Sequence, residues 1–176
     1  MLIRDYQSSD AAPIKRLIDA AFSPDESPVI NACVSQLLTE DSSSKVKSLV
    51  AEHNHQIIGY VSFSALHVDS NPSLTGYILA PLAVFPDHQK KGIGSTLVNA
   101  GISYLIESEV DFICVYGDPN YYSRFEFTED VASVFTTPYP LAYPTGWLGR
   151  WLSNQLRPST PMSFSCVGAL NKPALW

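Results

Sequence analysis

The chain has 176 residues, 45% of them hydrophobic, which suits one globular domain with a substantial core and is too short for two full ones. Its formal net charge of −6 argues against a protein built mainly to bind nucleic acid, because that affinity comes from neutralising phosphates with Lys and Arg. A local cluster of donors can still hold an anionic ligand, since distant charges are screened.

No stretch approaches the ~20 uninterrupted apolar residues that cross a bilayer, and the start Met1-Leu2-Ile3-Arg4-Asp5-Tyr6 lacks a basic region followed by an apolar core. Cys33, Cys114 and Cys166 are widely separated and odd in number, the pattern of neither a disulfide framework nor a zinc site. The expectation is a soluble, cytoplasmic protein with no membrane or nucleic-acid partner. Cys114 lies in the apolar run Phe112-Ile113-Cys114-Val115 and reads as a small buried hydrophobe.

In chain order, Leu2 to Arg4 predicts an opening strand. Asp10 then caps a helix whose Ile14, Leu17, Ile18, Ala21 and Phe22 fall at helical spacing. Ser23 to Pro28 interrupts it, and Val29, Ala32, Cys33 and Leu37 predict a second helix, followed by the polar run Glu40 to Lys45. Ser48 to Glu52, a turn at His53 to Gln56, and Ile57 to Leu66 predict a hairpin. Tyr77 to Val84 predicts a further strand, with Pro81 marking a bulge or an unpaired stretch. A glycine-bearing loop leads into a helix over Ile93 to Ile106, with Leu97, Gly101 and Leu105 on one face. Asp111 to Tyr116 predicts a buried strand, and Asn120 to Phe125 a short helix. The proline-rich last third predicts a helical fragment at Trp147 to Leu156 and a strand at Met162 to Ala169.

In Gln89-Lys90-Lys91-Gly92-Ile93-Gly94-Ser95-Thr96, two glycines sit where a loop enters a helix, so backbone N–H groups can approach a phosphate without a Cβ in the way. The helix start adds partial positive charge, and Lys90 and Lys91 add more at the rim. The fragment lacks both the Gly-Lys-Ser/Thr ending of a P-loop and the three-glycine dinucleotide pattern. By itself it supports either phosphate binding or a purely structural helix entry.

These residues resemble the Gln/Arg-x-x-Gly-x-Gly/Ala motif of the GNAT superfamily of acetyl-CoA-dependent N-acetyltransferases. Leu82-Ala83-Val84-Phe85-Pro86 is similar to that family's fourth strand. Gly117-Asp118-Pro119-Asn120-Tyr121-Tyr122-Ser123-Arg124-Phe125-Glu126-Phe127 resembles the Gly-Asp-Pro-x-Tyr-Tyr-x-Arg-Phe-Gly-Phe segment of a bacterial branch of predicted acetyltransferases, and Lys172 to Trp176 loosely resembles its ending. The likeness runs from about Val50 to Phe127, includes the first helix, and fades between Val131 and Pro161.

The resemblance implies a single α/β (α+β) domain over residues 1–176, with a core to about residue 130. Its central mixed sheet, flanked by helices, has fourth and fifth strands that splay apart around the pantetheine arm. The co-substrate implied is acetyl-CoA, with no metal. Leu82, Ala83 and Val84 would pair with pantetheine and polarise the acetyl carbonyl; Gln89, Lys90, Lys91, Gly92, Ile93, Gly94 and Ser95 would cradle the pyrophosphate, and Asn120 would touch the cofactor. Tyr122 matches the tyrosine that serves the family as general acid; apart from the resemblance, Tyr121 and Tyr122 read as packing aromatics. The implied acceptor is a primary amine on a small molecule or peptide that attacks directly, so Cys114 is no nucleophile, and the protein is a monomer or homodimer. A CoA-binding module without efficient transfer is the alternative.

Glu126 departs from the family's glycine; a positive φ there would cost on the order of 1 kcal/mol. No carboxylate stands on Tyr77 to Val84, so the general base is a water relay or His67, which otherwise reads as a solvated histidine at a strand end. His53 and His55 flank a turn with no third ligand nearby in sequence, and His88 lies beside the glycine loop, against phosphate or solvent. Glu52 is a further candidate for the amine side. Tyr139, Tyr143, Trp147 and Trp151 either close over the substrate or cover the sheet.

Overall fold

The structure is a computed structural model that describes residues 1–40, 45–154, 157–158 and 160–176. Residues 41–44, within the expected polar run, lie outside the described residues. The chain divides into two compact units, Met1–Phe63 with Ala80–Ser103, and Ser64–Leu79 with Tyr104–Trp176.

The first unit opens with β1 (Leu2–Asp5), followed by α1 (Ala11–Ala21), α2 (Ser27–Glu40) and β2 (Val46–His53). It also holds the first part of β3 (Gln56–Val68), the last part of β4 (Thr75–Val84) and most of α3 (Ile93–Glu107). The strand order is β1-β2-β3-β4, with β1 antiparallel to β2 and Ile3 opposite Ala51. Asn54 and His55 take positive φ of 49° and 59°, the left-handed pair that turns β2 back into β3.

The apolar stripe of α1 does what its spacing predicts: Ile14, Leu17 and Ile18 are fully buried, in one cluster with Val34, Val50 and Tyr60. α2 begins at Ser27, inside the expected interruption. Asp10 does not bond the helix start as expected. Its backbone is helical, and its carboxylate accepts from the Gln7 N–H at 2.8 Å and is gripped by Arg4 at 2.7 and 3.0 Å. A buried carboxylate gains more from a guanidinium fork than from one more amide.

α3 lies close against β3. A Cβ on Gly59 would stand 2.9 Å from the Leu97 side chain, and one on Gly101 would stand 1.9 Å from the Phe63 ring. Only glycine at 101 admits that ring.

The second unit contains the remainder of β3 and β4, the end of α3, β5 (Phe112–Tyr116), α4 (Pro119–Tyr122), α5 (Glu129–Ala132), β6 (Phe135–Thr136), β7 (Trp147–Trp151) and β8 (Met162–Cys166). Here the order is β8-β3-β4-β5-β7, with β6 against β8. The β4–β5 pair is parallel, while β5–β7 and β3–β8 are antiparallel, so the sheet is mixed as expected. The β4–β5 ladder covers Gly76 to Leu79, ending before Pro81, which cannot donate.

The segment expected to be helical from Trp147 is strand β7 instead, paired along its whole length with β5 from Tyr116↔Trp147 to Phe112↔Trp151; Leu156 lies outside the described residues. Pairing with a buried strand overrides a helical spacing of aromatics that has no caps. Gly149 fits close to Val131, where a Cβ would stand 2.9 Å from its side chain. The final strand stops at Cys166, short of Ala169.

Asp111 ties this unit together. Its buried carboxylate accepts from the Thr75 N–H at 2.8 Å, the Thr75 hydroxyl at 3.0 Å and the Ser153 hydroxyl at 2.8 Å. Trp147 donates from Nε1 to the Ala132 and Phe135 carbonyls and stacks on Phe164.

Candidate active site

In the first unit, β4 delivers the chain to the glycine loop. Ala83 is buried, and Leu82 and Val84 are half-buried. Phe85 N–H donates to Ile58 carbonyl at 3.0 Å, and a short 3₁₀ turn at Pro86–His88 redirects the backbone. Gln89 does not present its amide outward; Nε2 donates to the Val84 carbonyl at 3.0 Å and pins the loop to the strand end. Lys91 reaches back likewise, with Nζ on the Asp87 carbonyl at 2.7 Å.

Lys90 and Gly92 both take positive φ, 59° and 83°, which curls the loop tightly around Lys91. At Lys90 this costs on the order of 1 kcal/mol, and at Gly92 nothing comparable. A Cβ on Gly92 would meet no atom within 4 Å, so the space beside it is open. The first bonds of α3 are Thr96 N–H and Thr96 Oγ1 to the Gly92 carbonyl, at 2.9 and 3.0 Å. Among the described residues, the N–H groups of Ile93, Gly94 and Ser95 have no backbone acceptor. These donors, the dipole of a 15-residue helix and the Lys90 ammonium together suit a phosphate group.

In the second unit, β5 ends at Tyr116 and Gly117 follows it. Asp118 then caps α4, accepting from Asn120 N–H at 2.9 Å and from its Nδ2 at 3.1 Å. Asn120 is thus engaged with its own helix cap. Tyr122 is 8% exposed, and its ring lies over Gly117, where a Cβ would come 2.5 Å from Cε2. Tyr121 and Phe127 meet that ring edge-on at 5.0 and 5.8 Å between centroids. Burial, and then the neighbouring Tyr121, push the Tyr122 phenol well above its ordinary value, so it stays protonated at neutral pH.

Glu126 takes a left-handed backbone, φ 64° and ψ 22°. Its carboxylate pairs with Arg150 Nη2 at 2.8 Å, while Arg150 Nη1 donates to the Phe125 carbonyl at 3.0 Å. That brace was invisible in sequence, because 24 residues separate the partners.

His67 lies within β3, opposite Ser165, with its side chain exposed, rather than after the strand. Glu52 is committed to Arg4 at 2.7 Å. His55 is exposed, 3.7 Å from Glu52, and His88 is half-buried. Among the described residues no group of three His, Cys, Asp or Glu is arranged to hold a metal, and no helix is long and apolar enough to cross a membrane. Cys114 is fully buried, and burial pushes its thiol up, the opposite of nucleophile activation.

A family model described as the acetyltransferase (GNAT) family matches residues 13–126. YjhQ of Escherichia coli (strain K12), described as an uncharacterized N-acetyltransferase, is 30% identical over 158 residues, covering 89% of this chain and 84% of YjhQ. YhbS of the same strain, described likewise, is 33% identical over 128 residues, covering 72% of this chain and 73% of YhbS. The crystal structure of E. coli YhbS in complex with CoA superposes with a TM-score of 0.82 at 26% identity, covering 97% of this chain and 92% of the other. A Brucella melitensis GNAT family acetyltransferase solved with acetyl-CoA shares the fold, with a TM-score of 0.72 at 24% identity over 96% of this chain and 97% of that one.

Proposed function

The chain belongs to the acetyltransferase (GNAT) family, and we propose that it transfers the acetyl group of acetyl-CoA to a primary amine of a small molecule or peptide by direct attack. The observation that carries this reading is the loop at Gly92, with φ of 83°, open space beside its Cα, and a helix start whose Ile93, Gly94 and Ser95 amides lack backbone acceptors. Acetyl-CoA, when bound, supplies the acetyl group as an activated thioester. The amides of Gly92 to Ser95 and the Lys90 ammonium hold its pyrophosphate, with Gln89 and Lys91 fixing the shape of the loop. The backbone of Leu82, Ala83 and Val84 takes the pantetheine arm.

Tyr122 is the group we assign to hold the proton for the departing thiolate. The likeness of the Gly117 to Phe127 segment to one bacterial branch supports this role.

Release of free CoA from acetyl-CoA across a panel of primary amines tests the reading. Tyr122→Phe should lower kcat by about 10²-fold, with acetyl-CoA affinity changed less than about threefold. Tight acetyl-CoA binding without turnover on any amine would favour a CoA-binding module instead. Unchanged kcat in Tyr122→Phe would remove the tyrosine from the mechanism.

A further inference from the structure

The aromatic residues between Tyr139 and Trp151 separate into those with packing duties and one without. Trp147 is stacked in the core, Trp151 lies against Phe112 and Phe135, and Tyr139 donates its hydroxyl to Asn171. Tyr143 is 75% exposed, an unusual position for a large ring. Its backbone is nevertheless fixed, because its N–H donates to the Tyr116 hydroxyl at 2.7 Å, at the end of β5.

Between them lies a cavity of about 350 Å³, bounded by Tyr116, Gly117, Asp118, Pro119, Tyr143, Thr145 and Gly146, all within the second unit. Gly117 is the wall it shares with Tyr122, whose ring rests on that glycine. The cavity therefore adjoins the residue assigned as proton donor.

We infer that this cavity binds the acceptor, and that the acceptor is an arylalkyl amine: a primary amine carried on a flat apolar body, which binds as its ammonium and gives up a proton to water before the neutral amine attacks the thioester. The inference rests on the acetyl-transfer reading above and names its substrate class. Apart from Asp118, the walls are two tyrosines, a proline, glycine backbone and one threonine, a lining with few hydrogen-bonding groups that favours a flat carbon skeleton over a polyhydroxylated one needing many partners. Among the described residues one charged side chain lines the cavity, Asp118, and it is acidic. Oδ1 of that carboxylate is taken by the two Asn120 donors, and Oδ2 provides the acceptor for an ammonium. The tyrosine faces add cation–π attraction. Among the described residues no lysine or arginine lines the cavity, so a carboxylate or phosphate finds no cationic partner there. The volume suits a single-ring amine.

Calorimetric titration of the full chain with 2-phenylethylamine, ethanolamine and 3-phenylpropionate tests this directly, with CoA release measured on the same amines. The expected result is saturable binding of 2-phenylethylamine alone, weakened roughly tenfold in Tyr143→Ala and in Asp118→Asn. Asparagine preserves the cap of α4 while removing the charge, and Tyr143 is exposed, so thermal unfolding should show both variants folded. In turnover, Tyr143→Ala should raise KM for 2-phenylethylamine about tenfold with kcat retained.

Equal affinity for ethanolamine, or variants that bind like the wild type, would overturn the assignment of the cavity. CoA release from other amines alongside that result would leave acetyl transfer standing without this pocket. Arylalkyl-amine binding that depends on Tyr143 and Asp118, with no CoA release, would uphold the pocket and sink the transfer reading.

Discussion

Glu126 shows how a residue can occupy a backbone position that suits glycine. The left-handed φ of 64° costs it on the order of 1 kcal/mol, and the 2.8 Å pair with Arg150 recovers part of that, with Glu126 itself 77% exposed. Glu126→Gly should therefore stabilise the protein by about 0.5 kcal/mol in urea unfolding, and a loss above about 1 kcal/mol would show that the Arg150 brace outweighs the strain. Asp111 lies at the other extreme. Replacing it with alanine leaves the Thr75 N–H and the Thr75 and Ser153 hydroxyls without their acceptor, at a cost of about 2–4 kcal/mol by the same measurement.

At the level of elements, α3 joins recognition to packing. Its first turn carries the free amides, and its middle presents Gly101 to the Phe63 ring. Alanine at 101 would gain about 1 kcal/mol in helix propensity, but a Cβ 1.9 Å from a fully buried ring demands displacement of that ring. The clash wins, so Gly101→Ala should lower stability by about 2 kcal/mol; a gain would mean that Phe63 can swing aside. This helix, the hairpin and the glycine loop were legible in sequence because each carries a local signal: periodic Leu97, Gly101 and Leu105, the turn at Asn54-His55, and two glycines at a helix entry. β7 was not legible, because its conformation is set by pairing with β5 over 30 residues away, from Tyr116 to Trp147. The tethering of Gln89 to Val84, and of Asp10 to Arg4 rather than to α1, likewise depends on side chains meeting in three dimensions.

Across the molecule, an excess of acidic groups makes acid stability depend on which carboxylates are held in the fold. Asp10 is the clearest case. The Arg4 guanidinium first, and the Gln7 amide after it, hold its carboxyl below the ordinary value near about 4. A group whose folded pKa is depressed contributes stability that is complete above its unfolded pKa and disappears as pH falls toward the folded value. Wild-type stability should therefore drop below about pH 4, and Asp10→Asn should flatten that limb while costing about 2 kcal/mol at pH 7. A parallel pH dependence in wild type and variant would remove Asp10 from the account.

The central claim, that the loop around Gly92 holds the cofactor's pyrophosphate, is tested most directly by calorimetric titration of acetyl-CoA into wild-type protein and Gly92→Val. Valine is strained at φ of 83° and places methyl groups in the space left open beside the free amides. The account predicts saturable binding to the wild type and at least about tenfold weaker binding to a variant that remains folded. No heat from the wild type at millimolar acetyl-CoA, or equal affinity in the two proteins, would contradict it.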